Sequence, residues 1–75
     1  MNENTKPEYS VGTGYSKNQD TEVFMDQLTN RGIIAEQGGV MKPGAWLYIG
    51  EQEFNVAKMT VDEVKKVLTD NNIKY

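Results

Sequence analysis

A chain of 75 residues without cysteine or histidine excludes disulfide bonds, thiolate chemistry and histidine-based catalysis or metal binding. Its net charge of −3, from eight basic and eleven acidic side chains, provides no basic field for a nucleic-acid backbone. No apolar run approaches membrane-spanning length, and the first eight residues lack the apolar core of a signal peptide, so the sequence predicts one small cytoplasmic domain.

The first 19 residues are predicted to form a flexible arm in front of a single folded domain at 20–75. Residues 1–8 are polar and contain Pro7, which is typical of disordered segments. Tyrosine and valine side chains between 9 and 15 favour a short edge strand, or an irregular arm across the sheet. Two glycines inside this stretch weaken any strand, so both descriptions stay open.

Gly12-Thr13-Gly14, with Ser16 and Lys17 behind it, has the composition of a phosphate-binding loop. The spacing differs from that of a Walker motif, and no apolar strand precedes it. A flexible or turn-forming segment is therefore the favoured interpretation, and the sequence predicts no cofactor.

A first helix is predicted from Asp20 or Thr21, either of which can cap its N-terminus, to Asn30 or Arg31. Gly32 fits the left-handed position that commonly follows the last turn of a helix. Side chains three and four residues apart share a face, so one side of this helix is expected to be buried. Its apolar side chains are Val23, Phe24, Met25 and Leu28.

Three antiparallel strands are predicted to follow the first helix. Residues 33–37 read as the first strand, because they begin with two isoleucines and are bounded by glycines. Gly38-Gly39 is expected to form a turn or bulge, and residues 40–41 a short strand continuation. Lys42-Pro43-Gly44 is expected to form a turn, since proline presets φ and glycine accepts a positive φ. The other two strands form a hairpin within 45–56.

The hairpin is predicted to turn at Gly50-Glu51, because glycine at the first central position suits a type II′ turn. This turn fixes the register and places Leu47 opposite Phe54. Side chains alternate between the two faces of a strand, so the register also sorts the hairpin into two faces. The expected core face consists of Ala45, Leu47, Ile49, Gln52, Phe54 and Val56.

The last helix carries the clearest local signal in the chain. Thr60 and Glu63 have the spacing of a capping box, with Thr60 as the N-cap. Met59 before the cap and Val64 in the second turn match a hydrophobic staple. The helix is expected to end at 70–72, since asparagine tolerates the left-handed conformation of a C-terminal cap.

The predicted fold class is α+β: a three-stranded antiparallel meander with two helices in the order α-β-β-β-α, after the N-terminal arm. The last helix is expected to pack on the core face of the hairpin. The first helix can cover either face of the sheet, and its choice decides whether Trp46 and Tyr48 form a binding surface. Coverage of both rings by another segment is the alternative.

Six side chains are predicted to form a partner-binding surface. Two aromatic rings among polar neighbours provide a large contact area, and both residue types are enriched at interfaces. The contact face consists of Trp46, Tyr48, Glu53 and Asn55, with Glu51 and Lys42 at its edge. The chain offers no evident catalytic or metal site. The sequence therefore predicts a non-catalytic protein-binding module that regulates or inhibits another protein.

The small size of the chain also fits an accessory protein of a phage or mobile element that acts on a host protein, although no motif supports this origin. Two alternatives differ in class. A single-stranded nucleic acid could stack its bases on Trp46 and Tyr48, against an unfavourable charge. A homo-oligomeric structural or assembly protein could associate through an exposed sheet edge or through the aromatic face.

Overall fold

Four strands and two helices make up the described part of the chain, which comprises residues 6–12, 18–37 and 41–75 of this computed structural model. The strands are β1 (Glu8–Val11), β2 (Ala35–Glu36), β3 (Ala45–Ile49) and β4 (Gln52–Asn55), and the helices are α1 (Gln19–Asn30) and α2 (Val61–Asp70). A short 3-10 turn, Val56–Lys58, follows β4 directly. The predicted α+β class is confirmed, with a mixed sheet in the spatial order β2-β1-β3-β4.

The predicted three-stranded meander is wrong, because a fourth strand lies inside the sheet. β1 pairs antiparallel with β3, from Glu8 opposite Tyr48 to Val11 opposite Ala45, and it pairs parallel with β2 on its other side. The strand expected at an edge between 9 and 15 is therefore an inner strand, and the element order is β-α-β-β-β-α. Parallel neighbours need a long connection, which α1 supplies between β1 and β2.

β2 is shorter than the strand predicted at 33–37. The backbone N–H groups of Ile33 and Ile34 donate to the carbonyl of Leu28, at 3.0 and 3.4 Å, so they complete the end of α1 instead of joining the sheet. Pairing with β1 begins only at Ala35. The expectations for residues 1–5, 13–17 and 38–40 concern parts of the chain outside the described residues.

The hairpin of β3 and β4 forms in the predicted register. Gly50 has a φ of 60°, and Glu51 after it does not have a positive φ, as a type II′ turn requires. Leu47 and Trp46 therefore lie on opposite faces of the sheet. The cross-strand pairs are Trp46 with Asn55, Leu47 with Phe54, Tyr48 with Glu53 and Ile49 with Gln52.

The N-terminal cap of α2 is the predicted residue, whereas the cap of α1 lies two residues before the first predicted candidate. Asn18, rather than Asp20 or Thr21, caps α1: its side-chain oxygen accepts from the backbone N–H groups of these two residues, at 3.0 and 3.4 Å. Asparagine caps helices as well as aspartate does, and it comes first in the chain. The capping box of α2 is confirmed, with reciprocal hydrogen bonds between Thr60 and Glu63.

Both helices end in the same Schellman motif, in which a left-handed residue follows the last turn. This residue is Gly32 after α1, with a φ of 76°, and Asn72 after α2, with a φ of 61°. Glycine and asparagine were predicted for these two positions. The hydrogen bonds that close the motifs run from the N–H of Ile33 to the carbonyl of Leu28 and from the N–H of Ile73 to the carbonyl of Leu68.

Gly32→Ala is expected to lower the free energy of unfolding by about 1–2 kcal/mol, because a Cβ in the left-handed conformation meets its own backbone. A methyl group at this position would contact only the end of the Lys6 side chain, at 3.8 Å, so the effect is conformational rather than steric. Asn72→Gly is the matched control and should stay within about 0.5 kcal/mol. Urea unfolding measures both variants, and equal stability of Gly32→Ala and the wild type would contradict this account.

Both helices pack on the same face of the sheet. In α1 the buried side chains are Thr21, Met25 and Leu28, whereas Phe24 is half-buried and Val23 is 49% exposed. The apolar residues predicted for α1 are thus divided between the core and its margin. The buried core consists of Tyr9, Met25, Leu28, Ile34, Ala45, Leu47, Val56, Val64 and Leu68. Of the helices in the described ranges, neither is long and apolar enough to cross a membrane.

Candidate functional site

The outer face of the sheet, opposite the helices, carries the predicted aromatic pair. We define it by Glu8, Ser10, Trp46, Tyr48, Glu53 and Asn55, which the registers of β1, β3 and β4 place side by side. The core, to which both helices contribute, lies on the opposite face of the sheet, where Leu47 is buried. Trp46 and Tyr48 are each partly exposed. The first helix has therefore left this aromatic pair on a face that no helix of the described chain covers.

The predicted edge residue Lys42 lies on top of the aromatic pair. Its ammonium nitrogen lies 4.1 Å from the centroid of the Trp46 ring system and 5.6 Å from that of Tyr48, and it forms a salt bridge with the carboxylate of Glu53. We call these four residues the Lys42 cluster. The Lys42 and Glu53 side chains are 42% and 49% exposed, so the cluster is in contact with solvent. Solvent screens exposed ion pairs and cation–π contacts, so these interactions contribute little to stability.

The hydrogen bond to Glu53 raises the pKa of the Lys42 ammonium above its usual value of 10.5, against a smaller opposing effect of desolvation. Lys42 therefore stays charged across the neutral range. A raised pKa in the folded state means that the contribution of the pair to stability is complete below pH 10.5. That contribution is lost as the pH rises through the higher pKa of the folded protein.

Two hydrogen bonds hold the end of the bend that carries Lys42, where the bend joins β3. The indole N–H of Trp46 donates to the carbonyl of Pro43 at 3.0 Å. The backbone N–H of Gly12, just beyond β1, donates to the carbonyl of Gly44 at 2.7 Å. Gly44 itself has a φ of 121°, which only glycine adopts readily. The position of the ammonium thus depends on hydrogen bonds from two strands.

Asn55 has a structural role that the sequence prediction did not include. Its side-chain oxygen accepts from the backbone N–H groups of Ala45 and Ala57, at 3.3 and 3.2 Å. These bonds tie the end of β4 to the start of β3 and cap the 3-10 turn. The acceptor of this amide is therefore occupied within the chain, and Trp46, Tyr48 and Glu53 remain the stronger contact candidates. Glu51 lies in the hairpin turn and is exposed to solvent.

Met41 and the β1 residues of the outer face were not predicted as parts of the site. Met41 was expected in a short strand but lies in a bend, where this residue, which precedes Lys42, is 99% exposed. Ser10 lies opposite Trp46, is fully buried, and donates to the side-chain oxygen of Gln37 at 3.4 Å. A methionine beside a Lys-Pro-Gly turn was the only available signal, because the position of β1 depends on pairing between distant residues.

The outer face offers two aromatic rings, carboxylates and an ammonium group. Within the ranges that the structure describes, no three carboxylates come together as a group able to hold a metal ion. A shallow depression of about 520 Å³ lies elsewhere, at the end of α2, and is lined by Thr69, Asn72, Ile73, Lys74 and Tyr75. Comparisons with protein-family models, curated proteins and solved structures found no match for this chain. Any functional assignment therefore rests on the outer face and the Lys42 cluster.

Proposed function

We propose that the protein is a non-catalytic binding module that regulates or inhibits another protein through its outer face. One observation carries this proposal: Trp46 and Tyr48 lie partly exposed on the sheet face opposite both helices. Tryptophan and tyrosine dominate the hot spots of protein interfaces, because they bury a large area with few rotatable bonds. The small size of the chain also fits the accessory proteins of phages and mobile elements, directed at a host protein.

The Trp46 ring is held in place before any partner arrives. The indole N–H of Trp46 is bound to the carbonyl of Pro43, and the Lys42 ammonium lies over the ring. A group that is already ordered loses less entropy on association, so more of its contact energy contributes to affinity. Met41, fully exposed beside the cluster, adds a flexible apolar contact that adapts to an irregular partner surface.

The charges of the outer face weigh against a nucleic-acid partner. The phosphates of a strand whose bases stacked on Trp46 would meet the carboxylates of Glu8 and Glu53. Self-association through the edge of β4 is also disfavoured. Two copies would bring the acidic side chains of Glu51 and Glu53 close to one another, and like charges across strands are destabilising. A different protein is the better-supported occupant.

Site-specific photo-crosslinking tests the proposal. A benzophenone amino acid replaces Tyr48 on the outer face or, as the matched control, Tyr75, which is 41% exposed and packs edge-on against Phe24 of α1, at 5.9 Å. In an extract of the cells that produce the protein, the probe at Tyr48 is expected to crosslink one protein of defined mass, and excess unlabelled wild type should compete.

The probe at Tyr75 should give no such product. Crosslinking from Tyr75 alone would contradict the proposed face, because the partner would then lie on the helical side of the molecule. A product of twice the mass of the chain would identify a homodimer, and a nuclease-sensitive product would identify a nucleic acid. Either result would replace the proposal with one of the two alternatives.

A further inference from the structure

The Lys42 cluster is built as a site for a positive charge. The Trp46 ring, the Tyr48 ring and the Glu53 carboxylate all face one ammonium group. Ring faces and carboxylates both attract cations, and a guanidinium group can stack on a ring while its N–H groups bind a carboxylate. We propose that Trp46, Tyr48 and Glu53 bind an arginine or lysine side chain of the partner, and that Lys42 occupies this site in the free protein. The inference rests on the proposed function and names the chemistry of the partner.

The three groups that receive the cation are fixed by the sheet. Trp46 and Tyr48 are two residues apart on β3, so they point to the same side, and Glu53 lies directly opposite Tyr48 on β4. The indole N–H of Trp46 is bound to Pro43, which sets the orientation of its ring. A site made from two paired strands keeps its shape when its occupant changes.

The Lys42 side chain, which occupies the site in the free protein, is held less firmly than the residues that form the site. Lys42 lies outside the strands, in the bend before β3, and its ammonium is carried on a flexible four-carbon stem. Its side chain is 42% exposed, so it can swing into water without opening the core. No described strand or helix has to move when Lys42 leaves.

Occupation by Lys42 has a consequence for specificity. A free cation must compete with the tethered Lys42 ammonium, so weak or chance ligands are rejected, while a partner with further contacts outside the site, such as to Met41, succeeds. Once Lys42 has moved away, Glu53 and Glu8 leave the outer face acidic. That charge is complementary to a basic surface on the partner.

A titration with a small cation tests the site without the partner. The probe is N-acetyl-arginine methylamide, added to the full chain at constant ionic strength, and the signal is the indole N–H resonance of Trp46, the only tryptophan. Lys42→Ala is expected to bind the probe about tenfold more tightly than the wild type, which corresponds to Lys42 filling the site about nine-tenths of the time. The neutral isostere, N-acetyl-citrulline methylamide, should bind neither form.

The second variant is Lys42→Ala/Glu53→Gln, which keeps both rings but lacks the carboxylate. Its affinity for the arginine probe should be at least about threefold lower than that of Lys42→Ala. Equal affinity of Lys42→Ala and the wild type, or equal binding of arginine and citrulline, would overturn the inference. Unchanged amide resonances in α1 and α2 verify that both variants are folded. If only the cation site is wrong, the titration fails but Tyr48 still crosslinks the partner. If only the proposed function is wrong, the probe still binds but Tyr48 gives no crosslinked partner.

Discussion

Trp46→Ala is expected to weaken the complex with the crosslinked partner by about 30-fold or more, while unfolding stays cooperative. A hot-spot tryptophan contributes about 2 kcal/mol or more, and 1.4 kcal/mol corresponds to a factor of ten in affinity. The substitution also removes the ring below Lys42 and the hydrogen bond to Pro43, so the loop that carries the cluster loses two of its contacts. Isothermal titration calorimetry with the purified partner measures the loss.

Two further variants separate contact from structure at Trp46. Trp46→Phe keeps an aromatic ring but lacks the indole N–H, so its loss of affinity should lie between those of wild type and Trp46→Ala. Val23→Ala removes an apolar side chain that is 49% exposed on the helical side, and should bind like the wild type. Should Val23→Ala bind as weakly as Trp46→Ala, the helical side would be the interface.

Gly12→Ala is expected to have the largest effect on the fold among the surface and loop substitutions, lowering the free energy of unfolding by about 2–4 kcal/mol. A Cβ at this position would overlap the backbone carbonyl of Lys42 and lie 3.1 Å from that of Gly44. Backbone atoms cannot turn aside as a flexible side chain can, so the end of β1 and the bend before β3 must separate. The hydrogen bond from the Gly12 N–H to Gly44 would then be broken.

Gly50→Ala is the matched control for Gly12→Ala. Gly50 has a φ of 60°, so the replacement strains the turn, but nothing lies within 4 Å of an added Cβ. It should cost only about 1–2 kcal/mol and leave the indole resonance of Trp46 in place. Gly12→Ala should shift that resonance, since it displaces the bend that positions Lys42. Equal destabilisation by the two variants, with equal spectra, would contradict the close packing at Gly12.

The elements that local sequence determines were predicted well. The type II′ turn at Gly50 fixes the hairpin register, and Thr60 with Glu63 fixes the start of α2, because both signals act over a few residues. A strand near Tyr9 was expected only as one of two possibilities and only at an edge, because nothing near Tyr9 indicates a partner strand almost forty residues away. The glycine at position 12 was considered for phosphate binding. Its role is instead to let two backbone segments approach closely.

Sequence rules predicted part of the arrangement of the candidate site. Strand alternation and register were enough to place Trp46 and Tyr48 together with Glu53, and these three remain the proposed contact face. Sequence alone placed Lys42 only at the edge, because the position of its ammonium depends on the bend and on the hydrogen bond between Trp46 and Pro43. The structural role of Asn55 was not predicted either, because its side-chain oxygen accepts from two backbone N–H groups, one of which only folding brings near it.

The inner position of β1 determines how the sheet is connected along the chain. Closing β3 on β4 requires a loop of two residues, whereas pairing β1 with β3, where Val11 lies opposite Ala45, closes a loop of 33. Loop-closure entropy rises slowly with length, by about 0.6 kcal/mol per doubling, so the longer closure costs a few kcal/mol more. An isolated two-stranded hairpin is marginal in water, and β2 pairs with β1 alone. Every strand therefore depends, directly or through one neighbour, on the pairing of β1 with β3, whose residues are the farthest apart in sequence. Loss of this pairing is expected to disrupt the whole sheet.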